Sequence, residues 1–252
     1  MPLREFLELM ALGAASGALG ALLGIGGGVL LVPGLALIAG VPFRAAAAAS
    51  LVCIVATSIT SSVVHLPRGR VDIPLAIDLE AFTVSGAMIG GLLAAVIPAG
   101  PLFLGFALIL LFSAWHMWPF GRTERAPATR RRMGLARASS LGAGVVSSLL
   151  GVGGGVLKVP VLNLMLDLPF DRAAATSIYM IGITTAAGAL VYAVRGDVDV
   201  HLTVAVMLGT VLGSFGASSV GHRIDSRGLK AVFAIVLAGV AIQMVRRGLA
   251  LP

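Results

Sequence analysis

Ten apolar segments, separated by short polar or glycine-rich stretches, make up most of this 252-residue sequence. Eight of them approach the length of roughly 20 residues that an α-helix needs to cross the hydrocarbon core of a bilayer. Only 12% of the residues are charged, whereas about 25% is typical of a soluble domain. We therefore predict an all-α integral membrane protein. The apolar segments cover residues 6–23, 29–39, 45–66, 73–97, 102–118, 133–150, 156–166, 170–194, 201–221 and 229–245.

The basic residues give the sequence a net charge of +7, but they lie in short gaps between the apolar segments. A nucleic-acid-binding domain instead gathers such residues on one water-exposed face, so nucleic acid is not an expected partner. Short basic gaps are typical of cytoplasmic loops next to anionic lipid. The single cysteine, Cys53, lies within an apolar segment, and the four histidines form no metal-ligating pattern. We therefore expect neither a metal nor a cofactor.

The sequence contains a duplication. A shift of 127 residues aligns residues 24–72 with residues 151–199 without a gap, and 23 of these 49 positions are identical. We divide the chain into a first transmembrane repeat, a basic linker and a second transmembrane repeat. These three parts are residues 1–120, 121–137 and 138–252.

The linker is predicted to be cytoplasmic, because Lys and Arg accumulate in cytoplasmic loops. Each repeat is expected to contribute three long transmembrane helices and one glycine-broken pair, re-entrant or half-span, that returns to its own side. An odd number of crossings per repeat would invert the second repeat relative to the first. The predicted architecture is therefore two inverted-topology repeats.

Each repeat contains a glycine cluster, Gly-[Ile/Val]-Gly-Gly-Gly, followed by Val-Leu-x-Val-Pro. Adjacent glycines are unfavourable inside a helix, so the helix is expected to break there. The apolar segment that follows is about half a span long, and its N-terminus would present free N–H groups to an anion. The predicted helix-breaking residues are Gly24, Pro33, Gly151 and Pro160. The predicted substrate-binding backbone is that of Gly26, Gly27, Gly28, Gly153, Gly154 and Gly155.

Two interpretations of the glycine clusters are open. Small residues allow membrane helices to pack closely, and a single cluster would fit that role equally well. Paired interruptions at equivalent positions of a duplicated chain are instead typical of the substrate site of a transporter. Because both repeats carry the cluster, we favour the substrate site.

The doubled Gly-x-Gly-Gly-Gly with its trailing Val-Pro, in a chain of about this length, resembles the sulfite exporter TauE/SafE family of membrane transporters. The resemblance extends over both repeats. It implies a plasma (inner) membrane carrier of small sulfur-containing anions, such as sulfite or organosulfonates, which in several members move with protons. Because the family is broad, the resemblance does not identify the substrate.

One lysine lies inside a predicted membrane segment. Lys158 occupies the position of Leu31 in the first repeat, three residues beyond the glycines. A charge at this depth is costly, so Lys158 either lines an anion site or extends its side chain to the interface.

Hydroxyl side chains are a second repeated feature. Ser50 aligns with Ser177, and Thr57 aligns with Thr184. Within each helix the two residues are two turns apart on one face. Their hydroxyls can donate to sulfite or sulfonate oxygens, or they can bond helix carbonyls and join neighbouring helices.

Two carboxylates, Asp78 and Glu80, lie within the 73–97 segment. Carboxylates inside membrane spans commonly take part in proton relays, whereas a position near the start of a span also fits an interfacial charge. We retain both residues as candidates for proton coupling.

These features predict a secondary transporter of a small anion that works by alternating access, with lipid, the anion and protons as partners. An anion channel and a non-transporting membrane helper protein are the alternatives. An enzyme is not expected, because the sequence assembles neither a nucleophile with a base nor a metal site inside the membrane.

Overall fold

The computed structural model describes residues 2–23, 26–67, 69–117, 133–220 and 226–250. Within these ranges the regular structure is entirely helical, which confirms the all-α prediction. The helices are α1 (Leu3–Leu23), α2 (Gly28–Pro33), α3 (Phe43–His65), α4 (Ile73–Val96), α5 (Ala99–Met117), α6 (Met133–Leu150), α7 (Gly155–Pro160), α8 (Phe170–Val194), α9 (Val200–Val220) and α10 (Ser226–Leu249). Gly24 and residues 121–132 of the linker lie outside the described residues. Residues 133–137, assigned to the linker, form the first turn of α6.

Six helices of the described ranges are long and apolar enough to cross a bilayer, namely α1, α3, α4, α6, α8 and α9. Large apolar side chains cover the outer surface, and Ile77, Leu190 and Leu212 are each more than 60% exposed. Exposed apolar surface of this extent is stable where lipid replaces water as the solvent. The protein is therefore a multi-pass membrane protein.

The short helices α2 and α7 follow the two glycine clusters, as the sequence predicts. Each has six residues and ends in a proline, Pro33 in α2 and Pro160 in α7. Proline lacks the N–H group of the regular helical hydrogen bond. The chain continues from the two prolines as π-helical segments, Gly34–Ile38 and Val161–Met165. Both prolines therefore lie inside a continuous helical segment and change its geometry without ending it.

Helix packing follows the duplication. α1 packs along α9, and their counterparts in the other repeat, α6 and α4, pack along each other. α3 packs against its counterpart α8, and α5 packs against its counterpart α10. Each of these contacts joins the two repeats, so neither repeat is an independent packing unit. The opposite orientation of the two repeats across the membrane stays a prediction.

Glycines allow the paired helices to approach closely. A Cβ atom added at Gly213 of α9 would lie 2.0 Å from the carbonyl oxygen of Ala14 in α1. In the equivalent α4–α6 pair, a Cβ atom at Gly90 would lie 2.1 Å from the carbonyl oxygen of Val145. Both distances are far shorter than van der Waals contact, so only glycine fits at these positions. This is the close-packing role of small residues in membrane helices, and it applies here outside the glycine clusters.

Candidate functional site

The two glycine breaks have the same backbone conformation. Gly26 and Gly27 in the first break have φ angles of +82° and +80°. Gly153 and Gly154 in the second break have φ angles of +85° and +77°. Residues with side chains rarely adopt these angles, so the repeated glycines are required by the local geometry.

The breaks contact each other directly. A Cβ atom added at Gly28, the first residue of α2, would lie 2.6 Å from the carbonyl oxygen of Gly151 and 2.8 Å from that of Val152. Backbone of the first repeat therefore lies against backbone of the second repeat. The fold thus brings together the glycine residues that the sequence analysis selected in each repeat.

Two isoleucines lie beside both breaks. A Cβ atom at Gly26 would lie 3.2 Å from Ile54 of α3 and 3.4 Å from Ile181 of α8. A Cβ atom at Gly153 would lie 2.9 Å from Ile54 and 3.2 Å from Ile181. These isoleucines are not among the site residues predicted from the sequence. The duplication contained the signal, because Ile54 and Ile181 align with each other as an identical pair.

Buried serines of α3 connect the repeats. The Ser50 hydroxyl donates to the carbonyl oxygen of Gly151 at 2.7 Å, which joins α3 to the second break. The Ser58 hydroxyl donates to the carbonyl oxygen of Ile178 in α8 at 2.6 Å. The hydroxyl of Ser177, the counterpart of Ser50, is buried and has no hydrogen-bond partner among the described residues.

A narrow crevice lies beside the first break. The Thr57 hydroxyl, which donates to the carbonyl oxygen of Cys53 at 3.0 Å, belongs to its lining. Two further hydroxyls line the crevice: that of Ser58 also donates to a carbonyl oxygen, whereas that of Ser61 accepts from Ser218 at 3.1 Å and keeps its own proton to donate to an oxyanion oxygen. The lining includes Gly20, Gly26, Thr57, Ser58, Ser61 and Ile181.

Lys158 is enclosed within the protein and paired with a carboxylate. It is 2% exposed, and its Nζ atom lies 3.3 Å from Oε2 of Glu80 in α4. Thr184 of α8 completes the group, because its hydroxyl accepts from Lys158 and donates to Oε1 of Glu80. The Lys158 side chain therefore does not extend to the surface, and the carboxylate of Glu80 offsets its charge.

Asp78 and Glu80 have different surroundings although they are two residues apart. Oδ1 of Asp78 lies 2.6 Å from Nη2 of Arg137 in α6, and both side chains are at least one-third exposed. Glu80 is only 6% exposed. Of the two candidates for proton coupling, Asp78 thus belongs to a partly exposed ion pair and Glu80 to a buried one. Among the described residues, no group of three His, Cys, Asp or Glu side chains is placed to hold a metal ion.

Comparison with known proteins gives a family match over residues 9–244, and the family is described as sulfite exporter TauE/SafE. Probable membrane transporter protein YunE of Bacillus subtilis is 22% identical over 97% of this chain and 99% of its own length. Probable membrane transporter protein YdhB of the same bacterium is 28% identical over 83% and 86%. A probable membrane transporter protein of Xylella fastidiosa is 25% identical over 98% and 97%. No solved structure matches the chain.

Proposed function

The chain belongs to the sulfite exporter TauE/SafE family of membrane transporters, and from this premise we propose that it carries a small sulfur-containing anion across the plasma membrane by alternating access. The substrate class is sulfite or an organosulfonate. The observation that carries the proposal is the contact between the two glycine breaks, where Gly28 lies against Gly151 and Val152. Paired helix interruptions that meet between two repeats are the usual construction of a substrate site in secondary transporters.

The groups around the breaks fit an oxyanion. The first N–H groups of a helix have no carbonyl partner within that helix, so the backbone of residues 28–29 in α2 and 155–156 in α7 offers donors at the breaks. Hydroxyls add donors without adding charge once they release the acceptors that they bond in this closed structure, as Ser50 bonds the carbonyl oxygen of Gly151. In this proposal the anion contacts the backbone of residues 26–28 and 153–155. The side chains proposed to take part are Ser50, Thr57, Ser177, Thr184 and Lys158.

The closed contact between the breaks supports a cycle of conformations. With a Cβ atom at Gly153 only 2.9 Å from Ile54, the breaks have little free space between them. An anion would therefore enter when the two repeats separate on one side of the membrane. Rocking of one repeat against the other would open the same site to each side in turn, with the basic linker in the cytoplasm.

Uptake into proteoliposomes that contain the purified protein tests this function. Labelled sulfite, sulfate and methanesulfonate are supplied with and without an imposed pH gradient, and protein-free liposomes are the control. We expect saturable uptake of sulfite or methanesulfonate that the pH gradient enhances. Uptake that does not saturate would instead indicate an anion channel. No uptake of any of the three anions would contradict transport of a sulfur oxyanion and favour the helper protein.

A further inference from the structure

Three polar side chains from three helices form a closed network inside the protein. Lys158 of α7 is 2% exposed, Glu80 of α4 is 6% exposed, and Thr184 of α8 is fully buried. The ammonium group lies 3.3 Å from the carboxylate, and the hydroxyl of Thr184 is hydrogen-bonded to both. Each charge is therefore neutralised by the other, and the hydroxyl connects them.

The network is continuous with the second glycine break. Lys158 is three residues beyond Gly155, and its backbone N–H donates to the carbonyl oxygen of Gly154 at 2.9 Å. A shift of this break would therefore move the ammonium group relative to α4 and α8. The charged pair is thus attached to the element that the proposed transport cycle uses.

Among the described residues, Lys158 is the charged group that contacts Glu80. The other ionisable side chains on α6, on α8 and in the segments next to them have different surroundings. Three arginines lie beside other carboxylates: Arg137 pairs with Asp78, Arg172 lies near Asp72, and Arg195 pairs with Asp197. The Tyr192 hydroxyl donates to the carbonyl oxygen of Ser148, and Tyr179 packs in the apolar cluster around Leu79. Asp171 is exposed.

We propose that Glu80 occupies the anion position next to Lys158 and Thr184 when no substrate is bound, and that the substrate anion replaces it there when Glu80 takes up a proton. This inference rests on the proposed function and specifies how protons are coupled to the anion. In the empty state the carboxylate of Glu80 balances the ammonium of Lys158. In the loaded state Glu80 is a neutral acid, and the charge of the anion balances Lys158.

Charge balance makes the coupling obligatory. An anion that entered without a proton would place two negative groups beside one ammonium. A proton that entered without an anion would leave Lys158 unpaired. Both states would bury an uncompensated charge, which is strongly disfavoured. One proton therefore accompanies each monovalent anion, and the combined gradients of the two set the direction of net transport.

The test compares the wild-type protein with Glu80→Gln, which keeps the size of the side chain and removes its negative charge. Methanesulfonate is the main probe, because a sulfonate keeps the same charge when the pH changes, and sulfite is run in parallel. In wild-type proteoliposomes we expect a pH gradient to drive accumulation of the anion. In E80Q we expect the gradient-driven accumulation to be lost, while exchange of labelled for unlabelled anion continues. Glu8→Gln is the matched control and should behave as the wild type, because Glu8 is an exposed carboxylate of α1 that pairs with Arg4 outside the network.

Binding in detergent provides a second measurement for E80Q protein that does not transport. The dissociation constant for methanesulfonate or sulfite is measured from thermal stabilisation over a range of pH. In the wild type we expect it to rise with pH, approaching about tenfold per pH unit where Glu80 is ionised, because one proton is linked to each anion. In E80Q we expect the methanesulfonate constant to be the same at each pH.

The outcomes separate the two proposals. No flux of sulfite or methanesulfonate through the wild type overturns the proposed function and the coupling with it. Wild-type flux together with undiminished gradient-driven accumulation in E80Q overturns the coupling alone. The coupling alone is also overturned if E80Q binds methanesulfonate with the same pH dependence as the wild type. This measurement applies even where E80Q carries no flux.

Discussion

The Nζ atom of Lys158 lies 3.3 Å from Oε2 of Glu80, although each residue has an apolar counterpart in the other repeat. Leu31 occupies the position equivalent to Lys158, and Met207 occupies the position equivalent to Glu80. Leu31 belongs to the apolar core, and Met207 packs against that core. The glycine break is therefore present in both repeats, whereas the buried ion pair is present only at the second break. The glycine breaks therefore belong to the architecture that the two repeats share, whereas the buried ion pair belongs to the proposed coupling.

Replacing Lys158 alone is expected to destabilise the protein. Lys158→Leu leaves the carboxylate of Glu80 buried without a cation, and losing one partner of a buried pair typically costs about 3–5 kcal/mol. The double variant Lys158→Leu with Glu80→Met reproduces the apolar pair of the other repeat. We expect it to recover stability near the wild-type level, because an apolar replacement of a buried ion pair is often neutral or stabilising. Thermal unfolding in detergent measures both changes, and a single variant as stable as the wild type would contradict the buried pair. Neither variant should show gradient-driven uptake.

Removing the Thr184 hydroxyl is expected to weaken both the network and transport. Thr184→Val keeps the shape of the side chain but leaves Lys158 and Glu80 each without one hydrogen bond, at a cost of about 1–3 kcal/mol. Thr185→Val is the matched control. The Thr185 hydroxyl bonds only carbonyl oxygens of its own helix, with that of Ile181 at 2.7 Å. Unfolding temperatures and methanesulfonate uptake are compared, and equal effects of the two variants would argue against a special role for Thr184.

Much of the fold follows from the sequence because lipid imposes length and periodicity on every span. The helix boundaries agree closely with the apolar segments, and the short helix α7 begins at Gly155, as the glycine cluster requires. The pairing of Lys158 with Glu80 was not predicted, because the two residues are 78 positions apart and their side chains meet only because α4 and α7 both pack against α8. The duplication did contain an indication: two opposite charges each lack a charged counterpart in the other repeat.

Packing also decided what the separate patterns left open. Ser50 and Thr57 both carry a hydroxyl that recurs at the equivalent position of the other repeat. However, Ser50 donates to a carbonyl oxygen of the other repeat, and Thr57 donates to a carbonyl oxygen of its own helix. Similarly, Asp78 and Glu80 differ in burial although they are two residues apart on α4. Sequence spacing gives the face of a helix, whereas the neighbour of that face depends on how the helices pack together.

A bulky side chain at the second break is expected to stop transport in a protein that still inserts. Gly154 has a φ angle of +77°, and an added Cβ atom would lie 3.0 Å from Cβ of Ser147. Gly154→Leu therefore combines an unfavourable backbone angle with crowding against Ser147 of α6, beside the second break. Membrane insertion is measured by yield and chromatographic behaviour, and function is measured by anion uptake.

The matched control for this change is Gly196→Leu. Gly196 has the same φ angle of +77°, but nothing lies within 4 Å of an added Cβ atom. The backbone cost of about 1–2 kcal/mol for a left-handed residue is then common to both variants. Normal uptake by Gly154→Leu would show that the second break is not part of the transport site. Loss of uptake in Gly154→Leu but not in Gly196→Leu would assign the effect to the break.

The hydrogen bond between the repeats should contribute measurably to stability. Ser50→Ala removes the donor to the carbonyl oxygen of Gly151 and leaves that oxygen buried without this partner, at a cost of about 1–3 kcal/mol. Ser85→Ala is the control, because Ser85 is exposed and donates to the carbonyl oxygen of Ala81 in its own helix. We expect a lower unfolding temperature for Ser50→Ala only. A decrease of the same size in both variants would indicate that the contact with Gly151 adds nothing.

Because α1 and α9 approach closely, we expect the same glycine-to-alanine change at two positions of α9 to have opposite effects on stability. At Gly213 an added Cβ atom would lie 2.0 Å from the carbonyl oxygen of Ala14, so Gly213→Ala must push the helices apart. Overpacking of this kind costs about 1–3 kcal/mol. At Gly216, about one turn further along α9, nothing lies within 4 Å of an added Cβ atom. Gly216→Ala should therefore stabilise the protein by about 0.4–1 kcal/mol, because alanine restricts the unfolded chain and favours the helix. Thermal unfolding of the two variants in the same detergent tests the pair. Destabilisation by both would mean that Gly216 also faces a helix, and destabilisation by neither would mean that α1 and α9 are further apart than described.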